Sequence, residues 1–541
     1  MLDSQTQQPR NSLFDRALVQ IKRDRGELSG RIGRALLDPT HLVLFGVWVF
    51  ALAIRTIELA DVPRGFFTDE ASFGLNAHLI LTTGKDEYGE FMPFLFRSFG
   101  EYKLPVFVYA QIPVQAVLGM DEFSVRFTSA LLGSFTVVAV YLLAREMFER
   151  LMPAFTAACF VAILPWHIHI SRTGLGDVVA LPLFLTLALY LFLRAVRTGA
   201  SFLPSAALFG LCLYTYRPGW VILPPLLLVL ALIYRRELWQ RRRQVGVGLA
   251  ILVLMLVPIA LHLLTGDSDR TSQVSIFKVD TERTLVAIFW DFYKSYYTFQ
   301  FLFEDGPISD PVTRHYLPGH GMLYPFMTPL IVAGLVGLLV KRNREAFVIL
   351  ALLVFFPLGG ALSDASPIAT RASLGSVAFP LVAAAGVGYV ANYFLLFPRW
   401  TGRVALGTGL ALLTVVAAVG FFRYQDRYFN EYPTLASGYW GWQDGAEEIL
   451  HLFDERQSQY DELFLDGHFN APTVFIPFYL GDSCPKCRIG GFERFSIEKR
   501  QLFAFRTENE DLKKWNYVVR DTLFYPDGKP SFLILELVGK R

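Results

Sequence analysis

Long apolar runs separated by short polar connections fill the first four-fifths of the chain, and this pattern predicts a bundle of transmembrane helices. Most of the runs reach about 18 residues, the length that an α-helix needs to cross the hydrocarbon core of a bilayer. We therefore expect a polytopic α-helical membrane protein with about eleven spans, at residues 41–60, 123–144, 152–170, 178–197, 202–217, 219–235, 245–265, 322–341, 345–362, 372–397 and 403–423.

The basic residues fall in alternate connections and so predict an orientation. They cluster at residues 22–34, 145–150, 194–197, 235–243, 341–344 and 399–403, which the positive-inside rule places in the cytoplasm. An odd number of spans then puts the chain beyond residue 424 on the opposite side, together with loop 61–122. Residues 104–118 are also apolar, but Pro105 and Pro113 interrupt them, and a span there would reverse the parity. We expect this stretch to lie along the interface.

The pattern predicts three parts of the chain: a cytoplasmic segment 1–40, a transmembrane domain 41–424 with its catalytic loop at 61–122, and an extracytoplasmic domain 425–541. The last part returns to a soluble composition, with a helical pattern at 443–455, a strand at 462–466 and a hairpin at 517–538 around Pro526-Asp527-Gly528. It predicts a small α/β domain.

Composition supports the membrane interpretation. The 541 residues are 53% hydrophobic and 18% charged, and the net charge of +2 gives no indication of nucleic-acid binding. No cleavable signal peptide is visible, so the first span is expected to act as an uncleaved anchor in the plasma (inner) membrane. For the Cys484-Pro-Lys-Cys487 motif a local disulfide is favoured over a zinc half-site or a redox pair, because no second pair of ligands lies at suitable spacing.

Two adjacent carboxylates, Asp69 and Glu70, follow the first span directly. They are either a solvated loop end or functional acids, since a charge close to lipid is costly unless it faces water or a partner. An apolar stripe at Phe73, Leu75 and Leu79–Ile80 predicts a short interfacial helix that would hold the carboxylates in place.

Four groups of ionisable residues are predicted to meet on the outer face. They are Asp69-Glu70, the segment 166–177 with His167, His169, Arg172 and Asp177, the segment Tyr214–Arg217 with Tyr216, and the segment Asp364–Arg371. Each group alone is also explained by side chains that snorkel to lipid headgroups. Together they predict a site for a substrate that is anionic at one end and greasy at the other.

A metal in this site is a separate question. The two histidines, at positions i and i+2 of a helix, would point apart, so a histidine metal site is not favoured. Carboxylates and water could still hold a divalent cation, and no other cofactor is indicated.

Several of these elements resemble those of GT-C glycosyltransferases. The chain has Phe-x-x-Asp-Glu after its first span, Lys-x-Pro-x-x-x-Tyr from Lys103 to Tyr109, Glu122-Phe-Ser-Val-Arg-Phe127 opening the next span, and Pro165 to Asp177 closing the third. The order resembles protein O-mannosyltransferases and bacterial lipid A aminoarabinose transferases. The resemblance implies a membrane enzyme that takes a sugar from a polyprenyl-phosphate carrier with inversion at the anomeric carbon.

By position, the resemblance implies that Asp69 is the catalytic carboxylate, Lys103 a contact of the lipid phosphate and Asp177 the second acid. The chain departs from the commonest pattern at Ala71-Ser72-Phe73 and at Leu104, which leaves the acceptor open. The complete predicted substrate-binding set is Glu70, Lys103, Asp177, Arg172, Tyr216, Arg217 and Arg371.

The chemistry fits this set independently. A sugar phosphate carries a good leaving group, so transfer requires a base and cations but no general acid. We therefore expect an inverting transferase acting on a hydroxyl acceptor, which is a lipid, a glycan or a protein. Two alternatives are a transporter or flippase of lipid-linked sugars, which would need acids buried mid-span, and a scaffold whose tail binds partners.

Overall fold

The computed structural model describes residues 38–264, 275–279, 282–307, 310, 312–467 and 469–541; the predicted basic cluster 22–34 lies outside them. Most of the chain up to residue 430 is helical. The helices are Pro39–Thr56, Thr68–Thr83, Pro105–Leu118, Glu122–Phe148, Leu151–Ile163, Pro165–Ser171, Gly176–Thr198, Leu203–Cys212, Pro218–Ile233, Arg235–Gln240, Arg242–Leu264, Leu285–Ser295, Thr328–Lys341, Arg344–Phe355, Leu358–Ala361, Gly375–Phe394 and Arg399–Asn430.

Every predicted span contains a helix, but not every helix is long enough to cross a membrane. Within the described residues, seven helices are long and apolar enough, and eight if the bent pair Leu151–Ile163 and Pro165–Ser171 is one span. Shorter apolar helices occupy the spans predicted at 202–217, 219–235 and 322–341. The helical class is confirmed, whereas the count of eleven stays a prediction.

Proline explains where several helices begin and where the third span breaks. Pro39, Pro105, Pro165 and Pro218 each stand in the first turn of a helix, where the missing N–H is not needed. Pro165 cannot continue the preceding helix, so the chain bends by 56° between Ile163 and Pro165. This bend carries the segment from His167 to Asp177 across one end of the bundle.

Two helices and a short hairpin fill the predicted first loop at that same end. Helix Thr68–Thr83 forms as the apolar stripe predicted, and Phe73, Leu75 and Ile80 are buried. Strands β1, Phe96–Ser98, and β2, Glu101–Lys103, pair antiparallel and lead into helix Pro105–Leu118.

The C-terminal segment has helices Tyr432–Ala436, Ala446–Arg456 and Phe475–Tyr479 and strands β3 to β7. The strands, Glu462–Leu465, Cys487–Ile489, Gln501–Arg506, Trp515–Phe524 and Pro530–Lys540, form a five-stranded sheet among the described residues in the order β4-β3-β5-β7-β6. The predicted helix, strand and hairpin are confirmed, and Cys484 and Cys487 form a disulfide. The boundaries and side of a separate domain stay predictions.

Candidate functional site

Asp69 and Lys103 form an ion pair at the first turn of helix Thr68–Thr83. Lys103 Nζ lies 3.0 Å from Asp69 Oδ1 and also donates to the Asp69 backbone carbonyl at 3.3 Å. The lysine side chain is 7% exposed and the aspartate side chain 23% exposed. The predicted catalytic carboxylate and the predicted phosphate contact therefore touch each other, and the carboxylate is the more accessible of the two.

Lys103 owes its position to the hairpin and to two aromatic rings. It ends β2, just before Pro105 starts the next helix, and its Nζ lies 4.5 Å from the centroid of the Phe73 ring and 5.1 Å from that of Phe99. Ring faces attract an ammonium group and keep water from it. The lysine is therefore held as a partly desolvated cation, poised for an anion.

Glu70 has a different setting from its neighbour. Its side chain is completely buried, and Arg126 Nε lies 3.1 Å from Oε1 while Nη2 lies 3.2 Å from Oε2. The backbone N–H groups of Phe67 and Gly174 also donate to this carboxylate. Gly174 allows the approach, since a Cβ there would lie 2.8 Å from Oε1. Glu70 is consequently not on a surface that a substrate reaches; it ties helix Thr68–Thr83 to the third-span connection.

Arg172 is likewise fully buried and holds backbone carbonyls instead of facing a cavity. It donates to Ile54 and Val62 at 3.0 and 2.9 Å, at the carboxyl end of the first helix. A cation there complements the helix dipole and the unpaired carbonyls. The structure does not bring Arg172 to Lys103, contrary to the expected common cavity, because the carbonyls take its guanidinium.

Arg126 acts in the same way on the loop that follows. Its guanidinium donates to the carbonyl groups of Leu59, Ala60, Pro63 and Gly65 as well as to Glu70. The turn that delivers Asp69 is therefore built around one buried arginine.

Arg217 is close to Lys103. Its Nη2 donates to the carbonyl of Tyr102 at 2.7 Å, and the N–H of Val106 donates to the backbone carbonyl of Tyr214 at 3.3 Å. Tyr216, beside Arg217, is half-buried at the turn before helix Pro218–Ile233. This turn and the Lys103 hairpin consequently form one wall.

Asp177 follows Gly176, which packs closely against the ring of Phe107. It stands in the first turn of helix Gly176–Thr198 and is half-buried. A Cβ on Gly176 would lie 2.0 Å from the ring of Phe107, which in turn packs edge-on against Phe73. Since Phe73 also packs on Lys103, the rings of Phe107 and Phe73 connect the start of the Asp177 helix to the Asp69–Lys103 pair.

Arg371 lies close to the start of helix Pro218–Ile233. Its Nη1 lies 2.9 Å from Asp364 Oδ1, and it is 22% exposed. The carbonyl of Arg371 and the ring of Pro218 both pack against Gly359. The backbone of Arg371 therefore lies close to Pro218, the residue after Arg217. We call Lys103, Arg217 and Arg371 the cation group.

The two histidines point apart, as their spacing predicts. His167 Nδ1 lies 3.0 Å from Arg55 Nη2, whereas His169 Nε2 lies 2.9 Å from the carbonyl of Arg314. Among the described residues, no group of three or more His, Cys, Asp or Glu side chains is arranged to hold a metal ion. The divalent cation left open by the sequence thus has no such ligand set in this part of the chain.

The C-terminal segment packs directly on the turn that carries Asp69. Arg64 Nε lies 2.8 Å from Asp444 Oδ2, and Thr68 Oγ1 donates to the carbonyl of Ala471 at 3.1 Å. Gly65 has φ +88°, and a Cβ on it would lie 2.7 Å from the backbone nitrogen of Asp444. The turn is therefore held by Arg126 on one side and by Asp444 and Ala471 on the other.

Gly65→Ala should therefore disturb the turn more than positive φ alone requires. We expect a lower melting temperature and slower turnover, because the methyl group overlaps the Asp444 backbone in addition to straining φ; overpacking of this kind costs about 1–3 kcal/mol. Gly89→Ala is the matched control, since Gly89 has φ +86° and no atom within 4 Å of its added Cβ. Equal losses in the two variants would show that the contact with Asp444 is unimportant.

An acidic cavity of about 120 Å³ lies beside this contact. Its ionisable lining residues are Asp61, Arg64, Glu122, Asp444, Glu447, Glu448 and Tyr479. Burial, and secondly the charge of Glu448, raises the pKa of Asp444 to about 6, although Arg64 opposes the shift. Burial also raises the pKa of Glu447.

The raised pKa of Asp444 predicts a pH dependence of stability. A carboxyl group whose pKa is higher in the folded state binds its proton more tightly there, so its contribution to stability falls as pH rises from about 4 to about 6. We expect the melting temperature of Asp444→Asn, relative to that of wild type, to increase as pH rises through this window. Asp521→Asn, which alters a more exposed carboxylate paired with Arg456, is the control. A constant difference for Asp444→Asn across the window would contradict the assignment.

Sequence reasoning missed Arg126, Arg64 and Arg314 as parts of the site. Arg126 stands in the motif that opens the second span, but its buried position could not be inferred from the motif. Arg314 stacks 3.8 Å from the centroid of the Phe67 ring, two residues before Asp69, and it comes from a loop more than 200 positions later. No local pattern marks such a contact.

Comparison with protein families gives one partial match. Residues 103–262 match the family model described as dolichyl-phosphate-mannose-protein mannosyltransferase, which is less than half of the chain. The matched part begins at Lys103 and includes Asp177 and Arg217. A search of curated protein sequences gives no match.

Solved structures match over most of the chain. ArnT from Cupriavidus metallidurans bound to undecaprenyl phosphate aligns with a TM-score of 0.52 and 14% identity, covering 92% of this chain and 98% of that one. The archaeal oligosaccharyltransferase AglB from Archaeoglobus fulgidus, in complex with an inhibitory peptide and a dolichol-phosphate, aligns with a TM-score of 0.51 and 13% identity. That alignment covers 80% of this chain and 63% of AglB. At these identities the likeness establishes the fold.

Proposed function

Because this chain is an integral membrane protein with the fold of the GT-C glycosyltransferases, we propose that it transfers a sugar from a polyprenyl-phosphate carrier to a hydroxyl acceptor. The observation that carries the proposal is the Asp69–Lys103 ion pair, which sets an accessible carboxylate beside a partly desolvated cation. The lipid phosphates bound by ArnT and AglB support the choice of carrier. The reaction takes place on the outer face, where the basic clusters predict loop 61–122 to lie.

In the proposed reaction Asp69 is the general base. It takes the proton of the acceptor hydroxyl as that oxygen bonds to the anomeric carbon from the side opposite the phosphate. The bond between the anomeric carbon and the phosphate oxygen breaks, and polyprenyl phosphate leaves with the electron pair. The configuration is inverted, and no general acid is needed because phosphate is a good leaving group.

The cation group binds the departing phosphate. Lys103, Arg217 and Arg371 supply positive charge where negative charge develops, and the guanidinium forks suit phosphate geometry. Asp177 and Tyr216 border the same wall and orient the acceptor. Glu70 and Arg172 act as positioning residues, since both are fully buried.

The ion pair also suggests an order of events. While Lys103 stays 3.0 Å from Asp69, its ammonium group is paired with the carboxylate and not with a donor phosphate. A donor phosphate that draws the ammonium to itself releases the base. Donor binding thus activates the site.

Lys103→Met is expected to weaken donor binding by about tenfold or more, because a charge-assisted contact to phosphate contributes roughly 1.5–3 kcal/mol. The measurement is equilibrium binding of a labelled polyprenyl-phosphate sugar to purified protein. Lys294→Met is the control, since Lys294 is 66% exposed and pairs with Asp291 on helix Leu285–Ser295. If Lys103→Met and Lys294→Met bind donor as tightly as wild type, Lys103 does not contact the phosphate.

The proposal itself is tested by incubating purified protein with radiolabelled polyprenyl-phosphate sugar, with and without candidate acceptors. Acceptor-dependent release of free polyprenyl phosphate is the expected result. Recovery of the donor intact, after all acceptor classes have been supplied, would count against transferase activity.

A further inference from the structure

Arg506 is a buried arginine for which the structure supplies no counter-ion. It ends strand β5 and is 7% exposed. Its Nε and Nη2 are buried and have no hydrogen-bond partner, and no described carboxylate lies within ion-pair distance. Other arginines of the same sheet region differ, because Arg456, Arg500 and Arg520 each pair with a carboxylate.

This arrangement is costly unless something anionic completes it. A guanidinium does not lose its proton in proteins, so burial cannot be relieved by neutralisation. The rings of Tyr439 and Phe532 lie 5.5 and 5.7 Å from Cζ, and such contacts recover only about 2 kcal/mol. An unpaired buried charge costs several kcal/mol, and an anionic partner would offset that cost.

The surroundings of Arg506 suit a ligand that has an apolar face as well as an anionic group. Tyr439 covers the guanidinium and is 38% exposed, and the next residue, Trp440, is 58% exposed. Their rings meet edge to face at 5.4 Å. An exposed indole face beside a buried cation offers an apolar contact and an ionic contact to the same molecule.

The same turn connects Arg506 to the proposed reaction centre. The carbonyl of Trp440 accepts a hydrogen bond from Arg314 Nη1 at 3.3 Å, and the Arg314 guanidinium stacks on Phe67. Phe67 precedes Thr68 and Asp69. On the other side, Phe532 packs against Gly445, the neighbour of Asp444. Trp440 is thus connected through Arg314 and Phe67 to the turn that carries Asp69.

We propose that Arg506, Tyr439 and Trp440 form a subsite for an anionic group, a carboxylate or a phosphate, carried by the acceptor. The identification of the bound molecule as the acceptor rests on the proposed function. The anion itself is inferred from Arg506 alone. Tyr439 swings away from the guanidinium to admit the anion, and the acceptor hydroxyl is then presented to Asp69.

The test measures anion binding without donor, so that it does not depend on transfer. Purified full-length protein in phosphatidylcholine nanodiscs is titrated with inorganic phosphate and with glucuronate, with glucose as the neutral control, and thermal unfolding is followed. Wild type and Asp69→Asn should both be stabilised by the anions and not by glucose, because a ligand that binds only the folded state raises the melting temperature.

Arg506→Met keeps the length of the side chain and removes its charge. We expect this variant to lose the glucuronate-dependent rise and part of the phosphate-dependent rise, since the cation group still binds phosphate. Without anion it should melt no lower than wild type, because the uncompensated charge is gone. Arg520→Met, which alters a more exposed arginine paired with Glu536, should keep the rise. An undiminished rise in Arg506→Met would overturn the proposal, and so would a melting temperature well below that of Arg520→Met.

A second arm separates the acceptor from a lipid headgroup as the source of the anion. If stabilisation required phosphatidylglycerol in the nanodisc and glucuronate had no effect, the acceptor assignment would be overturned. Failure of transfer assays with preserved anion binding would instead contradict the proposed function and leave the Arg506 site standing.

Discussion

Asp69→Asn is expected to lower the rate of sugar transfer by about 10² to 10⁴, because it removes the base that accepts the hydroxyl proton. Asparagine keeps the size of the side chain, and Asp69 is partly exposed, so the fold should survive. Donor binding should also survive, since Lys103 loses a competing carboxylate and stays available to phosphate. Single-turnover kinetics with labelled donor is the appropriate measurement, because it separates the chemical step from product release.

The matched variant is Asp177→Asn, which removes the other accessible acid of the site. It is expected to impair acceptor binding more than the chemical step. If Asp69→Asn retains most of the wild-type rate while Asp177→Asn is inactive, Asp177 is the general base and the roles assigned to the two acids are exchanged.

Arg126→Met is expected to have the largest effect on stability. It leaves Glu70 buried without its cation and frees the carbonyls that Arg126 holds in the turn before Asp69. Breaking a buried ion pair by removing one partner costs about 3–5 kcal/mol. We expect a large fall in melting temperature and loss of monodisperse protein in detergent.

A double-mutant cycle distinguishes the pair from the carbonyl contacts. Glu70→Gln in the Arg126→Met background should recover part of the loss, because the uncompensated carboxylate is then absent. Arg403→Met, at an exposed position on helix Arg399–Asn430, is the control and should be close to neutral. Wild-type stability in Arg126→Met would show that the turn does not depend on this arginine.

The helices and the C-terminal hairpin were predictable because their signals are local. Apolar runs mark the spans, the stripe from Phe73 to Ile80 marks the helix Thr68–Thr83, and Pro526-Asp527-Gly528 marks the final turn. Each signal depends on neighbours in sequence, which backbone geometry brings together whatever the rest of the chain does. The break at Leu164 was not predicted, although Pro165 is its cause.

The site was predictable only in part, because its contacts join distant residues. The pairs Glu70–Arg126 and Arg64–Asp444 are 56 and 380 positions apart, and nothing local indicates either. Arg172 shows that a local pattern can also fit two different roles. An arginine at a membrane boundary has the same sequence signature whether it contacts a lipid phosphate or caps helix carbonyls, and only the fold decides between them.

The most direct test of the central claim follows both parts of a doubly labelled donor, with sugar and lipid labelled separately, in proteoliposomes that contain wild type or Asp69→Asn. We expect wild type to separate the two labels in the presence of acceptor, and Asp69→Asn to bind the donor but leave it intact. Movement of intact donor across the bilayer, equal in both proteins and without separation of the labels, would contradict the account and indicate a transporter.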